Sequence, residues 1–409
     1  MVSYIRFWIR MVLWALKGNR VYYLWIGFLG VLILMGASHY WAQFTQGFIV
    51  TNISQQVSWG AYIANFTYLV GVAAAAVLLV FPSYVYHKKE IKEVVLLGEL
   101  LAVSAILMCL LFIGVDLGRP DHFWHIIPVI GKLNFPTSIL AWDVVVLNIY
   151  LVLNLYVPGY LLWKKYVGAA PTDNTYLPFV YVSIIWAISI HTVTAFLYVG
   201  LGGRPYWNAA ILAPRFLVSA FAGGPALLIL IFKTITTFSD FKVQDAVFEY
   251  LKKVFLYAML SNLFLLGCEV YKEFYTASLH VASIRYLFFG LHGHHMLVPY
   301  IWSALVMEVI AILILLFPAL RNQWKYLAMA CVFAIVGIWI EKGMGLLIPG
   351  FVPSSLGDIV EYTPSIHEFF ICLGIWACGA LAYTLMAKVS IAIQLGQLKE
   401  ESPRSSRTK

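Results

Sequence analysis

Two carboxylates, an arginine and a histidine stand where a strongly apolar chain has least use for them. Asp116 and Arg119 open the stretch DLGRPDHFWHIIPVIGKLNFPTSILAWD, Asp143 closes it, and His191 lies within the apolar run 177 to 199. Carboxylates and imidazoles take up and release protons, histidine near neutrality at an unperturbed pKa of about 6.5. Arginine holds an acidic side chain, a carbonyl oxygen or a partner protein through a planar set of donors. Further acids occur inside apolar runs: Glu99, Glu269, Glu308, Glu341 and Glu368. A charge in hydrocarbon is costly unless it is paired or hydrated, so each of these is a functional candidate.

The elements that must position them are membrane helices. Of 409 residues, 62% are hydrophobic and only 11% charged, well outside the balance of a soluble domain. A spanning helix needs about 20 mostly apolar residues. Ten such runs occur, near 21 to 39, 60 to 86, 93 to 115, 139 to 161, 177 to 199, 215 to 237, 254 to 271, 296 to 317, 326 to 341 and 365 to 389. The expected fold is all-α, a polytopic ten-helix bundle in the cell membrane. Ten spans put both termini on one side. That side takes 20 lysines and arginines against 7 on the other, so the termini are expected in the cytoplasm. The net charge of +8 is then a topology signal, and no nucleic-acid partner is expected. Residues 1–20 mix bulky apolar side chains with Arg6, Arg10 and Lys17 and read as an amphipathic helix on the cytoplasmic surface. No small-residue cleavage site follows, so the first apolar run is expected to be retained. The helical domain is 21–390, and 391–409 is a polar cytoplasmic tail.

Several chemistries are disfavoured. Cys109, Cys268, Cys331, Cys372 and Cys378 all fall inside predicted spans with no CxxC pair or CxxCH, so neither an iron–sulfur cluster nor a c-type haem is expected in this chain. A b-type haem needs facing histidines; His191 alone is clearly within a span, with His39 and His367 near outer ends. No Walker loop occurs, and the nearest string to GxGxxG, GLGGRP at 200 to 205, is in a predicted outer loop. The HGHH run at 292 to 295 reads as an interfacial loop, since no carboxylate or cysteine stands at fixed spacing beside it.

The outer face collects the rest. Asp143 lies about 6 Å inside the fourth span and His191 about 12 Å inside the fifth, at 1.5 Å per residue. Those depths suit a quinone ring entering from lipid. Asp143 also reads as a helix N-terminal charge answering the dipole, and His191 as an interhelical hydrogen bond. Leu117-Gly118-Arg119-Pro120 and Leu201-Gly202-Gly203-Arg204-Pro205 look like one loop used twice, each folding back over the bundle mouth. Tyr362-Thr363-Pro364-Ser365 caps the tenth span.

From about 20 to 390 the chain resembles the NrfD/polysulfide-reductase membrane-subunit family. DLGRP at 116 to 120, FPTSILAWD at 135 to 143, HTVTAFLY with RPYWNAAILAPRF at 191 to 216, GCEVYKEFY at 267 to 275 and EYTPSIHEFFICLGIWACGALAY at 361 to 383 carry the likeness. The ten-span form is most similar to the P-subunit branch associated with sulfate reduction, with Hmc-type and HybB-type branches close by. The resemblance implies a cofactor-poor subunit that binds menaquinone or another quinone near the extracytoplasmic face. It also implies docking to a ferredoxin-like iron–sulfur subunit and assembly with membrane and cytochrome subunits. Carried onto matching positions, the candidates are Asp116, Arg119, Asp143, His191, Tyr198, Arg215, Glu269 and Glu368. Of these, Asp143, His191 and Asp116 would move protons, and the others would hold the quinone. The rival class is a secondary transporter, whose helices break at mid-membrane; here the clearest glycine and proline punctuation lies in the outer loops. Redox-coupled proton movement through Glu308 and Glu99 is a third reading.

Overall fold

The structure, a computed structural model, describes residues 2–127, 129–278 and 281–400, with side chains from Phe7 onward. Met1 and the tail beyond residue 400 lie outside the described residues.

Apolar runs without internal turn signals fold into helices: α1 (Val2–Leu16), α2 (Arg20–Gln46), α3 (Ala61–Ala74), α4 (Val77–Tyr84), α5 (Lys89–Asp116), α6 (Ile139–Val167), α7 (Asp173–Val199), α8 (Leu212–Phe238), α9 (Asp245–Thr276), α10 (Val281–Phe289), α11 (Val298–Leu316), α12 (Pro318–Arg321), α13 (Trp324–Trp339), α14 (Gly345–Phe351) and α15 (Ile366–Gln394). Among the described residues ten helical stretches are long and apolar enough to cross a membrane, and they coincide with the ten expected. The chain is a multi-pass membrane protein. Local chemistry sets the ends. Asn19 accepts from the Tyr22 amide at 2.9 Å to start α2, and Ser138 caps α6. Ser365 and Glu368 form a reciprocal capping box on α15, as the Tyr-Thr-Pro-Ser string predicts.

Two spans differ from the sequence reading. The second is interrupted at Ala75 and Ala76, between α3 and α4. The ninth does not stop at Glu341; α13 passes through a π-helical turn, Ile340–Met344, into α14 and ends at Phe351. Glu-Lys-Gly reads as a loop because charge and glycine interrupt the apolar pattern. The run Gly345–Phe351 nevertheless continues the helix, and Glu341 stays buried because Arg215 and Asn262 on other helices pair with it, with Lys342 beside it. Glu341 and Lys342 therefore lie well inside the ninth span, and mid-span irregularity is more prominent than the sequence indicates.

α3 is buried along nearly its whole length and packs against α5, α7, α8, α15 and the π turn. α2 and α15 run side by side, with the bare backbones of Gly36 and Gly374 in contact. α1 lays Phe7 and Met11 against Leu162, Tyr166, Ala392 and Ile393, while Trp8, Ile9, Val12 and Leu13 are exposed. Short connections join the helices at the terminal end of the bundle. The longer segments 47–60, 117–138, 200–211, 277–297 and 352–365 gather at the opposite end, here called the lid end.

Candidate functional site

α6 and α7 meet beneath the lid end through one bond between side chains. Thr194 Oγ1 donates to Asp143 Oδ1 at 2.7 Å, and both residues are buried. Asp143 lies beyond the first turn of a helix that Ser138 already caps, so it acts as an interhelical acceptor and not as a dipole charge. His191 stands three residues before Thr194. Its Nδ1 is 3.1 Å from the Ala187 carbonyl oxygen. A carbonyl can only accept, so the hydrogen of the neutral imidazole sits on Nδ1 and Nε2 is left as an acceptor. Nε2 is buried and has no hydrogen-bond partner among the described residues. The imidazole is thus tied to its own helix, and no interhelical bond holds it.

Tyr198, one further turn along α7, shares a hydrogen bond with Thr67 on α3. Its ring contacts Trp59 and Trp207, with centroids 5.8 and 5.3 Å away, and Phe351 closes the group. Trp207 brings the 200–211 segment down into the bundle. Its Nε1 donates to the Leu346 carbonyl at 2.9 Å, and its indole lies on the bare backbone of Gly350.

A second group is an ion network at the junction of α8, α9, α11 and the π turn. Arg215 pairs with Glu269, and with Glu341 at 2.5 Å. Asn262 donates to Glu341 at 2.7 Å and lies 3.5 Å from Glu308. Lys342 Nζ is 3.7 Å from Glu341 and 5.7 Å from the centroid of the Phe216 ring, without a hydrogen bond. All six residues are buried, which fits the rule that charge at depth is paired.

The third group is mostly architectural. Glu368 accepts from the Asn52 and Ser365 amides, each at 2.9 Å, and from the Tyr362 hydroxyl. The Tyr362 oxygen in turn accepts from the Ala61 amide at 2.8 Å, and burial pushes its phenol above the usual range. Asp116 ends α5 with one carboxylate oxygen buried and unbonded. Nearby, Gln43 bonds the Val115 carbonyl at 2.7 Å and accepts from Tyr62 at 2.5 Å.

Arg119 belongs to none of these groups. Its side chain is 71% exposed and is occupied by Asp121, at 2.8 and 3.0 Å, and His122. The pairing holds the Asp121 carboxyl below the usual range. The two Arg-Pro loops do share a backbone form, with Arg119 at φ −132°, ψ 72° and Arg204 at φ −120°, ψ 84°, each leading into a 3-10 turn. Only the second folds over the bundle. Arg204 lies over the Phe351 ring at 4.7 Å and Trp207 is buried, whereas Phe123 and Trp124 of the first loop are exposed. Among the described residues of the first loop none is seated in a cradle like Leu346 and Gly350. In the HGHH run, His294 faces Glu361 at 3.3 Å. Among the described residues no set of three or more histidine, cysteine, aspartate or glutamate side chains is arranged to hold a metal ion.

Between α3, α7, α8 and α13 lies a cavity of about 10 Å³, room for one water-sized group. Thr67, Tyr68, His191, Ser219 and Lys342 supply its polar wall. The sequence reading missed Tyr68, Asn262, Trp207 and Lys342. Only Lys342 left a signal, the apolar run that resumes after Glu341-Lys342-Gly343.

Residues 49–353 match the family model described as polysulphide reductase, NrfD. The match spans α3 to α14 and leaves the α2 and α15 pair outside. Among curated proteins, the chain is 24% identical over 396 residues to a putative dimethyl sulfoxide reductase membrane subunit of Halobacterium salinarum, covering 87% of this chain and 88% of that one. It is 22% identical over 361 residues to the Hdr-like menaquinol oxidoreductase integral membrane subunit of Archaeoglobus fulgidus, covering 83% and 86%. A selenate reductase subunit of Mesobacillus selenatarsenatis is 22% identical over 405 residues, covering 88% and 92%. The likeness therefore runs through most of each chain, and this protein belongs to the polysulphide reductase NrfD family.

Proposed function

We propose that this chain is the quinone-interacting membrane subunit of a respiratory oxidoreductase complex, oxidising menaquinol or reducing menaquinone and exchanging electrons with an iron–sulfur subunit docked on the lid end. The observation that carries the reading is the His191 Nε2 acceptor, buried without a partner among the described residues and one helical turn before Thr194, whose hydroxyl donates to Asp143 on the neighbouring helix. A quinol supplies two electrons and two protons, so its site needs a buried acceptor and an ionisable group to relay the proton. His191 accepts the proton at Nε2; Asp143 takes it onward, with Asp116 closer to the lid-end water. Tyr198 and the indoles of Trp59 and Trp207 shut water out above. In kind, an unpartnered imidazole, a phenol and an ammonium suit a quinone oxygen. In volume, the cavity takes one oxygen and no ring, so ring binding requires its wall to open.

Membrane-subunit names among the relatives support a multi-subunit complex, and one of those names contains menaquinol. The finer proposal puts the lid end and its iron–sulfur partner outside the cell, as the lysine and arginine distribution indicates, with the termini in the cytoplasm. It also puts the complex in sulfate- or sulfur-linked anaerobic respiration, alongside further membrane and cytochrome subunits. In the purified complex, His191→Ala and Asp143→Asn should each slow quinol-dependent reduction of the partner by about 100-fold. Unchanged rates in both variants would remove the site.

A second reading, redox-coupled proton movement or secondary transport, is favoured by the buried Arg215–Glu341–Glu308 network and the irregular turns in the second and ninth spans. Proteoliposomes holding this chain alone separate the readings. Substrate uptake without a redox partner would establish transport; acidification that requires quinol turnover would establish coupling.

A further inference from the structure

We infer that the cavity between α3, α7, α8 and α13 holds a single water shared by His191, Tyr68 and Lys342, and that Lys342 is a positioning residue tying the protonation of His191 to the buried ion network. The inference deepens the quinone reading and rests on it for its kinetic consequence, but not for the water itself.

Three unsatisfied polar atoms belong to residues lining this one small space: His191 Nε2, Tyr68 Oη and Lys342 Nζ. All three residues are buried, with relative exposures of 1%, 4% and 3%. Unpaired, each would carry a desolvation penalty, and polar cavities of this size are where proteins hold water. The hydrogen-bond arithmetic closes. Nε2 can only accept, the ammonium can only donate, and a water can donate to the first and accept from the second while its other hydrogen meets the Tyr68 oxygen. Two glycines border the space. A methyl at Gly71 would stand 3.9 Å from His191 Nε2 and 3.4 Å from the Ala220 Cβ. A methyl at Gly223 would stand 3.6 Å from the Tyr68 hydroxyl and 3.7 Å from Ile338. Neither clashes, so either substitution fills the cavity from its own side.

The consequence concerns charge. With His191 neutral, the water donates to it and accepts from Lys342. A proton on Nε2 would turn that nitrogen into a donor, leaving two cations pointing at one oxygen. The charged groups acting on Lys342 are Arg215 on α8, Glu341 in the π turn and Glu308 on α11, while on the His191 side the ionisable groups are Tyr68 on α3, Tyr198 on α7 itself and Asp143 on α6, bonded through Thr194. Of the cations only Lys342 lines the cavity. On the quinone reading, the substrate oxygen would take the place of this water.

The test uses the purified complex and two readouts. Infrared difference spectra in H₂¹⁸O against H₂¹⁶O should show a weakly bonded O–H stretch in the wild type that is lost in Gly71→Ala and in Gly223→Ala and shifted in Lys342→Met. Absence of the band from the wild type, or its survival in both glycine variants, overturns the water. Lys342→Met should also move the acidic limb of quinol-dependent turnover to higher pH by about one unit or more, because the opposing charge is gone, while Lys342→Arg restores the wild-type profile. An unmoved limb overturns the coupling. If the wild-type complex shows no quinol-dependent turnover at all, the quinone reading falls and the infrared band alone decides the inference.

Discussion

Replacing Arg215 with leucine should be the most destabilising single change to a charged residue in this chain, and the structure says why. Arg215 pairs with two carboxylates, all three groups being at most 3% exposed. After the substitution Glu341 still has Asn262 at 2.7 Å and Lys342 at 3.7 Å, whereas Glu269 loses the only ion pair described for it. Removing one partner of a buried pair costs about 3–5 kcal/mol, because a bare charge remains. Replacing both partners with apolar groups of similar size is nearly neutral or stabilising. Arg215→Leu should therefore lose about 3–5 kcal/mol, and the double variant Arg215→Leu, Glu269→Leu should recover most of it. Equilibrium unfolding in mixed micelles, followed by tryptophan fluorescence, measures both. A double variant as unstable as the single, or a single variant within about 1 kcal/mol of wild type, would refute the idea that pairing is what keeps these charges at depth.

Three further outcomes are expected. Gly36→Ala places a methyl 2.8 Å from the Gly374 Cα. Backbone cannot give way as a side chain can, so the α2–α15 contact should loosen by about 1–3 kcal/mol in the same micellar unfolding; Gly27→Ala, which meets nothing within 4 Å, should be neutral or slightly stabilising there, since alanine favours a helix over glycine. Trp207→Phe keeps the aromatic contacts but strips the Leu346 carbonyl of its donor, at about 1–3 kcal/mol, and a melting temperature equal to wild type would show that this carbonyl finds another partner. Asp121→Asn should leave stability unchanged, because exposed ion pairs contribute little. The Asp121 carboxyl lies below its usual range, so the pair with Arg119 is complete above the unfolded carboxylate pKa and is lost only as pH falls through the lowered value. A melting difference between variant and wild type that varies across about pH 5 to 8 would contradict that assignment.

The architecture was legible because hydrocarbon leaves one economical answer: an apolar run of the right length becomes a helix, and ten runs became ten spans. The cap at Ser365 was legible for the same local reason, since a serine followed three residues later by glutamate satisfies the first amides of a helix. What the sequence concealed was partnership. Glu341-Lys342 resembles a loop until Arg215, 126 residues away, is brought alongside it. Arg119 and Arg204 open similar loops, but nothing in the spacing says that only the second has a tryptophan with a glycine to lie on. Asp143 and His191, which stand inside apolar runs of the sequence, are both buried. Helical spacing puts Thr194 on the same face as His191, but nothing in the sequence says that its hydroxyl reaches Asp143, 51 residues away.

The π turn at Ile340–Met344 has a consequence for length. Such a turn is an α-helix carrying one residue more than the ladder needs, so this span can lose a residue there and still cross the bilayer. Each α-helical residue turns the chain by about 100°. A deletion at Met344 would let the segment wind as ordinary α-helix, and the side chains on one flank of the former turn would swing by about that angle relative to the other. Either Glu341 and Lys342 keep facing Arg215 while the Leu346–Gly350 seat for Trp207 rotates away, or the reverse. The inserted residue is therefore what allows one helix to serve the ion network and the lid together, and relatives that differ by one residue here are where the two should come apart.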